Sequence, residues 1–349
     1  MIISIDKRNN FVILGAMLLR KMPGFWVFLL CLLMGMVPSC TSWGKFWEIN
    51  NTVDTCSSLA TLTMVCVPAN TTGFSMGYAT IATPVHIVPS ITAFAMAKYE
   101  VQYGDWLMVR TWATSNGYIF ANPGVQGDNG ARTNQHPVTA VNWRDAIIWC
   151  NAASQKDGFT PVYYTDAGLT IPLKTSTNTA SINGTAGSED APYLKLSANG
   201  YRLPTEAEWE YVARYADGTT FMRGDAPSGW QDNNTANGTV DDAEIDAVAW
   251  WTNNSGPATH VVGTARGNAL DLFDMSGNVY EWVWDWNGAY TAVAPYTDAD
   301  SKGPTTGTNR VDRGGGWNNV SSNQQSSIRD NNNPWYTDSS IGFRPVRRP

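Results

Sequence analysis

The side chains best suited to redox or metal chemistry are few and widely spaced in this 349-residue chain. It contains five cysteines, none of them after Cys150, and three histidines. Without a Cys-x-x-Cys pair or a histidine cluster, a zinc site is not expected. Cys56 and Cys66 are close enough in sequence to form a disulfide in an oxidising compartment. Cys150 lies in an apolar helical pattern and is expected to be a buried, small hydrophobic residue.

Glu206, Glu208 and Glu210 are closely spaced carboxylates within the segment RLPTEAEWEYVAR, residues 202–214. Thr205 and Glu208 have the T-x-x-E spacing of a capping box, which predicts the start of a helix. Apolar residues at helical spacing predict one buried face: Trp209, Val212 and Ala213. The other face, with Glu206 and Glu210, is predicted to be solvated. Capping and solvation therefore explain these glutamates without catalysis.

The last part of the chain has the composition of a contact surface. Between Trp317 and Ser340, Asn, Gln, Ser and Thr make up 15 of 24 residues, so the stretch has little aliphatic surface to bury. Trp335 and Tyr336 would provide rigid aromatic anchors among these short polar side chains. Composition alone leaves two alternatives open, a loose polar loop or a ligand-contacting surface. Trp317 belongs to the flanking scaffold and is expected to pack in the core.

The N-terminal residues have the pattern of an export signal. A basic pair at 20–21 precedes an apolar run at 25–37, which is short for a membrane span and ends near Cys40. Residues 1–40 are interpreted as a signal peptide whose end resembles a bacterial lipobox, with Cys40 as the lipidation site. A plain signal peptide or an anchor helix remains an alternative. The expected location is the cell envelope, lipid-anchored at the outer-membrane surface.

The charge of the chain argues against nucleic acid as a partner. Once residues 1–39 are removed, 19 basic and 29 acidic residues leave a net charge of −10. An acidic protein without a basic stripe binds nucleic acids and anionic lipids poorly. Membrane attachment is therefore assigned to the lipid anchor.

The remaining elements must position the C-terminal stretch. Residues 41–70 are interpreted as a tether with a first strand, and residues 71–349 as one domain. An Asn-capped helix is predicted over 142–150. The segment at 313–317 can form a tight glycine turn, and 341–344 has the pattern of a short buried strand.

Four motifs carry a resemblance to a known family: RLPTEAEWEYVAR at 202–214, LFDMSGNVYEWVWDW at 272–286, RVDRGGGW at 310–317 and IGFR at 341–344. In their order and spacing, over about residues 73–344, the chain resembles the formylglycine-generating enzyme (sulfatase-modifying factor) family. The resemblance implies an α+β, loop-rich variant of the C-type lectin-like fold. In that fold, two helices pack around short antiparallel sheets.

The enzymatic members of this family oxidise a substrate cysteine by means of a cysteine pair and copper. The matching positions here are about Asn319 and Gln324, and neither residue type can replace a thiolate as soft ligand and redox group. Iron-dependent relatives use a histidine cluster, which three scattered histidines do not supply. The resemblance therefore implies a non-enzymatic member that requires no cofactor.

The enzymatic relatives also bind a structural calcium ion. The matching residues are Asp274, Gly277, Val279 and Glu281, which would offer side-chain and backbone oxygens to this hard cation. The alternative is a turn next to a strand, in which Asn278 and Glu281 are hydrogen-bonded into the scaffold.

A second resemblance concerns the C-terminal stretch. An Asn-rich segment between a glycine–tryptophan motif and IGFR resembles the variable region of diversity-generating retroelement proteins, particularly treponemal lipoproteins of this fold. In those proteins, Asn codons are mutated while the scaffold stays fixed. The resemblance implies a variable region at about 317–340 that binds a protein or a surface glycan.

The expected ligand-binding residues are Asn318, Asn319, Val320, Ser321, Asn323, Gln324, Ile328, Asp330, Asn331, Asn332, Trp335, Tyr336, Asp338, Ser339 and Ser340. Arg329 could either tie the segment to the scaffold or face a ligand. Two other functions remain open, an enzyme of this fold with unrecognised chemistry and a structural envelope lipoprotein.

Overall fold

A computed structural model describes five segments of the chain: 61–79, 81–128, 132–231, 240–290 and 303–349. The expected signal peptide, the lipidation site Cys40 and most of the tether lie outside these residues. Cys66 is disulfide-bonded, while its expected partner Cys56 also lies outside them, so the pairing itself stays a prediction. Within the five segments, no helix is both long and apolar enough to cross a membrane.

The described residues contain four helices: α1 (Tyr103–Ser115), α2 (Trp143–Lys156), α3 (Glu206–Ala213) and α4 (Asp242–Asp246). The two longer helices, α1 and α2, pack against each other. Asn142 and Asp145 form a capping box at the start of α2, and Thr205 and Glu208 form one at the start of α3. Both predicted helix starts are therefore confirmed.

Fourteen strands occur in the same residues: β1 (Met64–Val67), β2 (Phe74–Tyr78), β3 (Ala82–Val88), β4 (Phe94–Ala97), β5 (Val125–Gln126), β6 (Val138–Thr139), β7 (Tyr163–Tyr164), β8 (Tyr193–Leu194), β9 (Tyr201–Arg202), β10 (Tyr280–Trp286), β11 (Arg310–Arg313), β12 (Arg329–Asn332), β13 (Ile341–Phe343) and β14 (Val346–Arg347). One sheet has the order β1-β4-β14-β9 and a second has the order β12-β11-β10-β13, beside three two-stranded ribbons. In the second sheet only β10 and β13 run parallel. Because β13 and β14 follow each other directly, the C-terminus joins the two sheets.

Tryptophans fill much of the core under these sheets. Trp106 of α1 and Trp149 of α2 stack with ring centroids 6.3 Å apart, and Phe343 of β13 meets both rings edge-on. This confirms the predicted buried strand at 341–344. Cys150 is fully buried in the same cluster, and burial raises the pKa of its thiol.

Helix α3 is buried on all sides, which contradicts the predicted solvated face. Glu206 and Glu210 have no exposed surface, and Arg214 is also buried. The reason is that α3 packs between β2 and β10. Its outer carboxylates meet arginines from the C-terminal part of the chain instead of water.

Candidate ligand-binding face

The stretch 317–340 is an ordered part of the second sheet and its border. A 3₁₀ helix at Ser321–Gln324 leads into β12, which is the edge strand. β12 pairs with β11 in antiparallel register, from Arg313 opposite Arg329 to Arg310 opposite Asn332. Of the two alternatives that composition left open, the structure contradicts the loose loop.

Backbone contacts hold the first half of this stretch against the scaffold. The amide of Ser326 donates to the Ala226 carbonyl over 2.9 Å, and that of Ser327 donates to the Gly224 carbonyl over 2.9 Å. Gly315 has a φ of +76°, and a Cβ there would lie 2.5 Å from the Asn323 carbonyl oxygen. The glycine turn before the stretch is thus required both by backbone conformation and by close approach.

The solvent-facing side chains define what we call the exposed face: Asn318, Val320, Ser322, Asp330 and Tyr336. Most other expected ligand-binding residues are partly exposed: Asn319, Ser321, Asn323, Ile328, Asn331, Asn332, Trp335, Asp338 and Ser339. Gln324 and Ser340 are buried, which corrects the expectation that they contact ligand. The Gln324 side chain turns inward below the 3₁₀ helix, where its amide nitrogen lies 3.4 Å from the Gly316 and Val320 carbonyls.

The two expected aromatic anchors differ in availability. Tyr336 is 40% exposed, and its hydroxyl donates to Asp338 over 3.3 Å. Trp335 is half-buried, with the Arg144 guanidinium 5.5 Å from its ring centroid. Tyr336 is therefore the more accessible anchor. Trp317 is half-buried, so the expectation that it packs in the core is wrong; its indole N–H donates to the Ser339 carbonyl over 3.1 Å.

Arg329 faces the scaffold, which settles its ambiguous role. Its Nε and Nη2 donate to the two Glu206 oxygens over 2.6 and 2.8 Å, and Nη1 donates to the Gly288 carbonyl over 2.8 Å. Arg313 makes a parallel contact with Glu210 over 2.6 Å. Burial opposes ionisation of Glu206, but the Arg329 and Arg313 guanidiniums outweigh it and hold its pKa below the usual range.

Asp285 is also buried in this ionic layer, and no arginine of the five described segments forms an ion pair with it. Its Oδ2 accepts the backbone N–H of Glu206 over 2.7 Å at the start of α3. Burial, followed by the negative charge of Glu206, raises the pKa of Asp285 to about 8. The folded protein therefore favours the neutral carboxyl at this position.

We expect Asp285→Asn to flatten the dependence of stability on pH. The pKa of an aspartate in the unfolded chain is about 3.9, so the folded state binds this proton more tightly. The stabilising contribution is fully present below that pH and is lost as pH rises towards about 8. Asparagine keeps an acceptor for the Glu206 N–H but has no proton to lose. Urea unfolding at pH 5 and pH 8 should show a smaller loss of stability in the variant, and parallel losses would contradict the assignment.

One of the residues expected to bind calcium, Glu281, is paired with an arginine of the scaffold. Both Glu281 oxygens are engaged by Arg344, with a shortest contact of 2.6 Å, and Oε2 also accepts the Trp209 indole N–H over 2.8 Å. A cation is disfavoured beside a guanidinium, so Glu281 does not fit as a ligand. Across the described segments, no group of three or more His, Cys, Asp or Glu side chains could hold a metal ion.

The neighbouring turn is hydrogen-bonded into the scaffold, as the alternative to calcium expected. Asn278 Nδ2 donates to Glu100 over 2.6 Å, and the Val279 N–H donates to the same carboxylate over 3.0 Å. Asp274 accepts the Gly263 N–H over 2.6 Å. Its other oxygen is buried and has no hydrogen-bond partner within the described segments, so calcium binding at Asp274 stays a prediction.

Sequence reasoning missed two side chains beneath the exposed face. Asp312 of β11 and Tyr280 of β10 are buried, and both lie within motifs that carry the family resemblance. The available signal was strand alternation. Val311 and Arg313 point to the side of the sheet that packs against α3, so Asp312 must point to the other side.

Comparison with known proteins agrees with this architecture. The family model of the sulfatase-modifying factor enzyme 1-like domain matches residues 52–349. The chain is 33% identical to the chaperone protein LppX of Paenibacillus barcinonensis over 249 residues, 65% of this chain and 70% of that protein. It is also 33% identical to the formylglycine-generating enzyme of Thermomonospora curvata over 248 residues, 68% of this chain and 64% of the enzyme. Several other curated relatives are matched over less than half of their length.

A solved structure extends the likeness to the fold. Treponema denticola variable protein 1 superposes with a TM-score of 0.63 and 30% identity, covering 82% of this chain and 95% of that one. The expected α+β, loop-rich, C-type lectin-like architecture is confirmed, with two short helices in addition to the two long ones. The chain belongs to the sulfatase-modifying factor enzyme 1-like family.

Proposed function

We propose that this chain is a surface-displayed lipoprotein that binds a protein or surface-glycan ligand through the exposed face. We further propose that a diversity-generating retroelement varies this face. The observation that carries the proposal is a separation of roles within 317–340. The side chains of the exposed face point to solvent, while Gln324 and Arg329 are turned towards the scaffold. The residue types of the exposed face can therefore change without loss of the contacts that Gln324 and Arg329 make with the scaffold.

Three further observations support the proposal. The chain is similar over most of its length to a protein named for its variability, Treponema denticola variable protein 1. Asn319 and Gln324 stand where the resemblance places the cysteine pair of the enzymatic relatives, and the sequence has no cysteine after Cys150. The pattern that ends at Cys40 would supply a lipid anchor in the cell envelope. The acidic charge of the chain is the reason that nucleic acid is not proposed as a ligand.

The proposal predicts where natural variants of the gene differ. Sequences of the same gene from different isolates should concentrate their amino-acid differences in 317–340. Within that range, the exposed face should vary, whereas Arg329 and the buried Gln324 should stay constant. Differences spread evenly over the chain would overturn the proposed diversification. A reverse transcriptase gene with an adenine-rich template copy nearby is the expected genomic setting.

Two alternatives have different signatures. An enzyme of this fold would show cofactor-dependent turnover that is abolished by substitutions outside 317–340. A purely structural envelope protein would keep all its partner interactions after Trp335→Ala and Tyr336→Ala. The binding protein proposed here should lose ligand contact in the Tyr336 variant first, since Tyr336 is the more exposed of the two.

A further inference from the structure

Two carboxyl groups, those of Asp312 and Asp330, lie side by side on the side of the sheet that carries the exposed face. Asp312 of β11 lies directly opposite Asp330 of β12, so both side chains project from the same side of the sheet. Trp282 of β10 pairs with Asp312 from the other side. Tyr280, two residues before Trp282, therefore also projects to this side. Two carboxyl groups and a tyrosine are thus brought together by strand register alone.

Asp312 has an unused hydrogen-bond acceptor. Its side chain is fully buried, and Oδ2 accepts the Asn332 amide over 3.1 Å. Oδ1 has no hydrogen-bond partner among the described residues. Burial first, and then the charge of Asp330, raise the pKa of Asp312 well above its usual range. A buried acceptor without a donor is costly to keep, and a donor from outside the chain would remove that cost.

Two tyrosines, Tyr280 and Tyr336, lie within electrostatic reach of this carboxyl group. The Tyr280 hydroxyl accepts the Asn323 side-chain amide over 3.0 Å. Burial first, and then the charges of Asp330 and Asp312, raise the pKa of Tyr280. Burial and Asp338, followed by the same two charges, raise the pKa of Tyr336. Carboxylates beside aromatic rings are the usual surroundings of a bound ammonium or guanidinium group.

The arginines nearest to Asp312 in sequence are occupied elsewhere. Arg313 and Arg329 project to the side of the sheet that packs against α3, where they bind Glu210 and Glu206. Arg310 projects to the same side as Asp312, but it donates to the carbonyls of Trp284 and Asp190 and stacks 3.5 Å from the ring centroid of Trp286.

Arg144, the basic residue beside the half-buried Trp335, is likewise occupied. It is paired with Asp190 over 2.8 Å. None of these guanidiniums makes a hydrogen bond or an ion pair with Asp312 in the described part of the chain.

We propose that Tyr280, Asp312, Asp330, Asn332 and Tyr336 form a site, the Asp312 site, for a lysine or arginine side chain of a protein ligand. The inference rests on the proposed function and specifies its ligand. A cationic side chain supplies the missing donor and a positive charge that favours the ionised form of Asp312 beside Asp330, whereas a neutral sugar hydroxyl supplies only the donor. The net charge of −10 after removal of residues 1–39 would also attract a basic partner.

Asp312 and Tyr280 lie outside the stretch 317–340, so under the proposed function these two residues of the site do not vary. Asp330 and Tyr336 lie inside that stretch and belong to the exposed face. A cationic anchor of the ligand would then be retained while the surrounding contacts change with each version of the face. The preference for basic ligands is accordingly expected to persist when Asp330 or Tyr336 is altered, in a weakened form.

The test uses two immobilised peptides of identical shape. One carries four arginines separated by Gly-Ser spacers, and the other has citrulline in place of each arginine, which removes the charge. Binding of the purified full-length chain is measured by biolayer interferometry at physiological salt. The wild type should prefer the arginine peptide, and Asp312→Asn should weaken that binding roughly tenfold or more. Asp330→Asn should weaken it less, since Asp330 is solvent-exposed.

Asp271→Asn is the matched control for charge. Asp271 is exposed, has a φ of +61° that asparagine tolerates, and pairs on the surface with Lys98. The Asp271→Asn variant should bind the arginine peptide as tightly as the wild type does. Circular dichroism should show the same unfolding midpoint for Asp312→Asn and the wild type, because asparagine is nearly isosteric with the neutral carboxyl.

Three results would overturn the inference. The first is that the wild type binds the citrulline peptide as well as the arginine peptide. The second is that Asp271→Asn weakens binding to the arginine peptide as much as Asp312→Asn does. The third is that Asp312→Asn weakens binding to a neutral glycan surface but not to the arginine peptide. The outcome is separable from that of the proposed function. Isolate sequences that vary on the exposed face, together with an unaffected Asp312→Asn variant, would remove the cationic site and leave the variable binding face in place.

Discussion

Replacing Arg344 with methionine is expected to lower the free energy of unfolding by about 3–5 kcal/mol, the usual cost of removing one partner from a buried ion pair. Arg344 has no exposed side-chain surface and donates to both oxygens of Glu281. It also donates to the Phe273 carbonyl over 2.7 Å and to the Ala97 carbonyl over 3.2 Å. The variant would leave a carboxylate and several carbonyls buried without their donor. Urea unfolding monitored by tryptophan fluorescence measures the loss.

Arg223→Met is the matched control for this substitution. Arg223 pairs with Asp225 at the surface, where both side chains are partly exposed, so its loss should cost less than about 1 kcal/mol. Adding Glu281→Gln to Arg344→Met should recover part of the stability, because the double variant no longer strands a buried charge. Equal effects of Arg344→Met and Arg223→Met would show that the Arg344 contacts contribute nothing special to the fold.

The second large effect is expected for Arg329→Met, although Arg329 lies inside the proposed variable stretch. We expect a loss of about 3 kcal/mol, at the lower end for a buried pair, because Arg313 remains 3.7 Å from Glu206. The substitution removes both hydrogen bonds to Glu206 and the one to the Gly288 carbonyl. It also removes a guanidinium that lies 4.2 Å from the ring centroid of Tyr290.

The neighbouring residue provides the contrast for Arg329. Asp330→Ala changes an exposed side chain on the same strand and should shift stability by no more than about 0.5 kcal/mol. Arg329→Lys should fall between the two, since lysine keeps the charge but cannot make the bidentate contact. If Arg329→Met were as mild as Asp330→Ala, then Arg329 would have to be counted with the exposed face and not with the scaffold.

Sequence patterns were sufficient for the features that depend on local chemistry. The capping boxes at Asn142 and Thr205, the buried strand at 341–343 and the glycine turn at Gly315 are set by residues close in sequence. The four motifs in order were enough to expect the fold. The bounds 317–340 rest on composition, which differs sharply from that of the flanking motifs, and they stay a prediction.

The errors arose where a distant partner decides the environment. Glu206 and Glu210 resemble residues of a solvated helix face until Arg329 and Arg313 are placed against them, more than a hundred residues later in the chain. Gln324 resembles its polar neighbours, and only the geometry of the 3₁₀ helix turns it inward. Asp312 could not be found from its motif alone, because only its register opposite Asp330 places it under the exposed face.

The pairing of β12 with β11 limits the kind of genetic change that this region can accept. Arg329 and Asp330 project to opposite sides of the sheet, and their neighbours in β11 fix that alternation. An insertion or deletion of one residue ahead of β12 would reverse it, sending a guanidinium into water and a carboxylate towards Glu206. Substitutions that preserve length leave the alternation intact. The fold therefore favours a mutational process that makes substitutions over one that makes insertions or deletions. The capacity of this region to diversify depends on a constant number of residues ahead of β12.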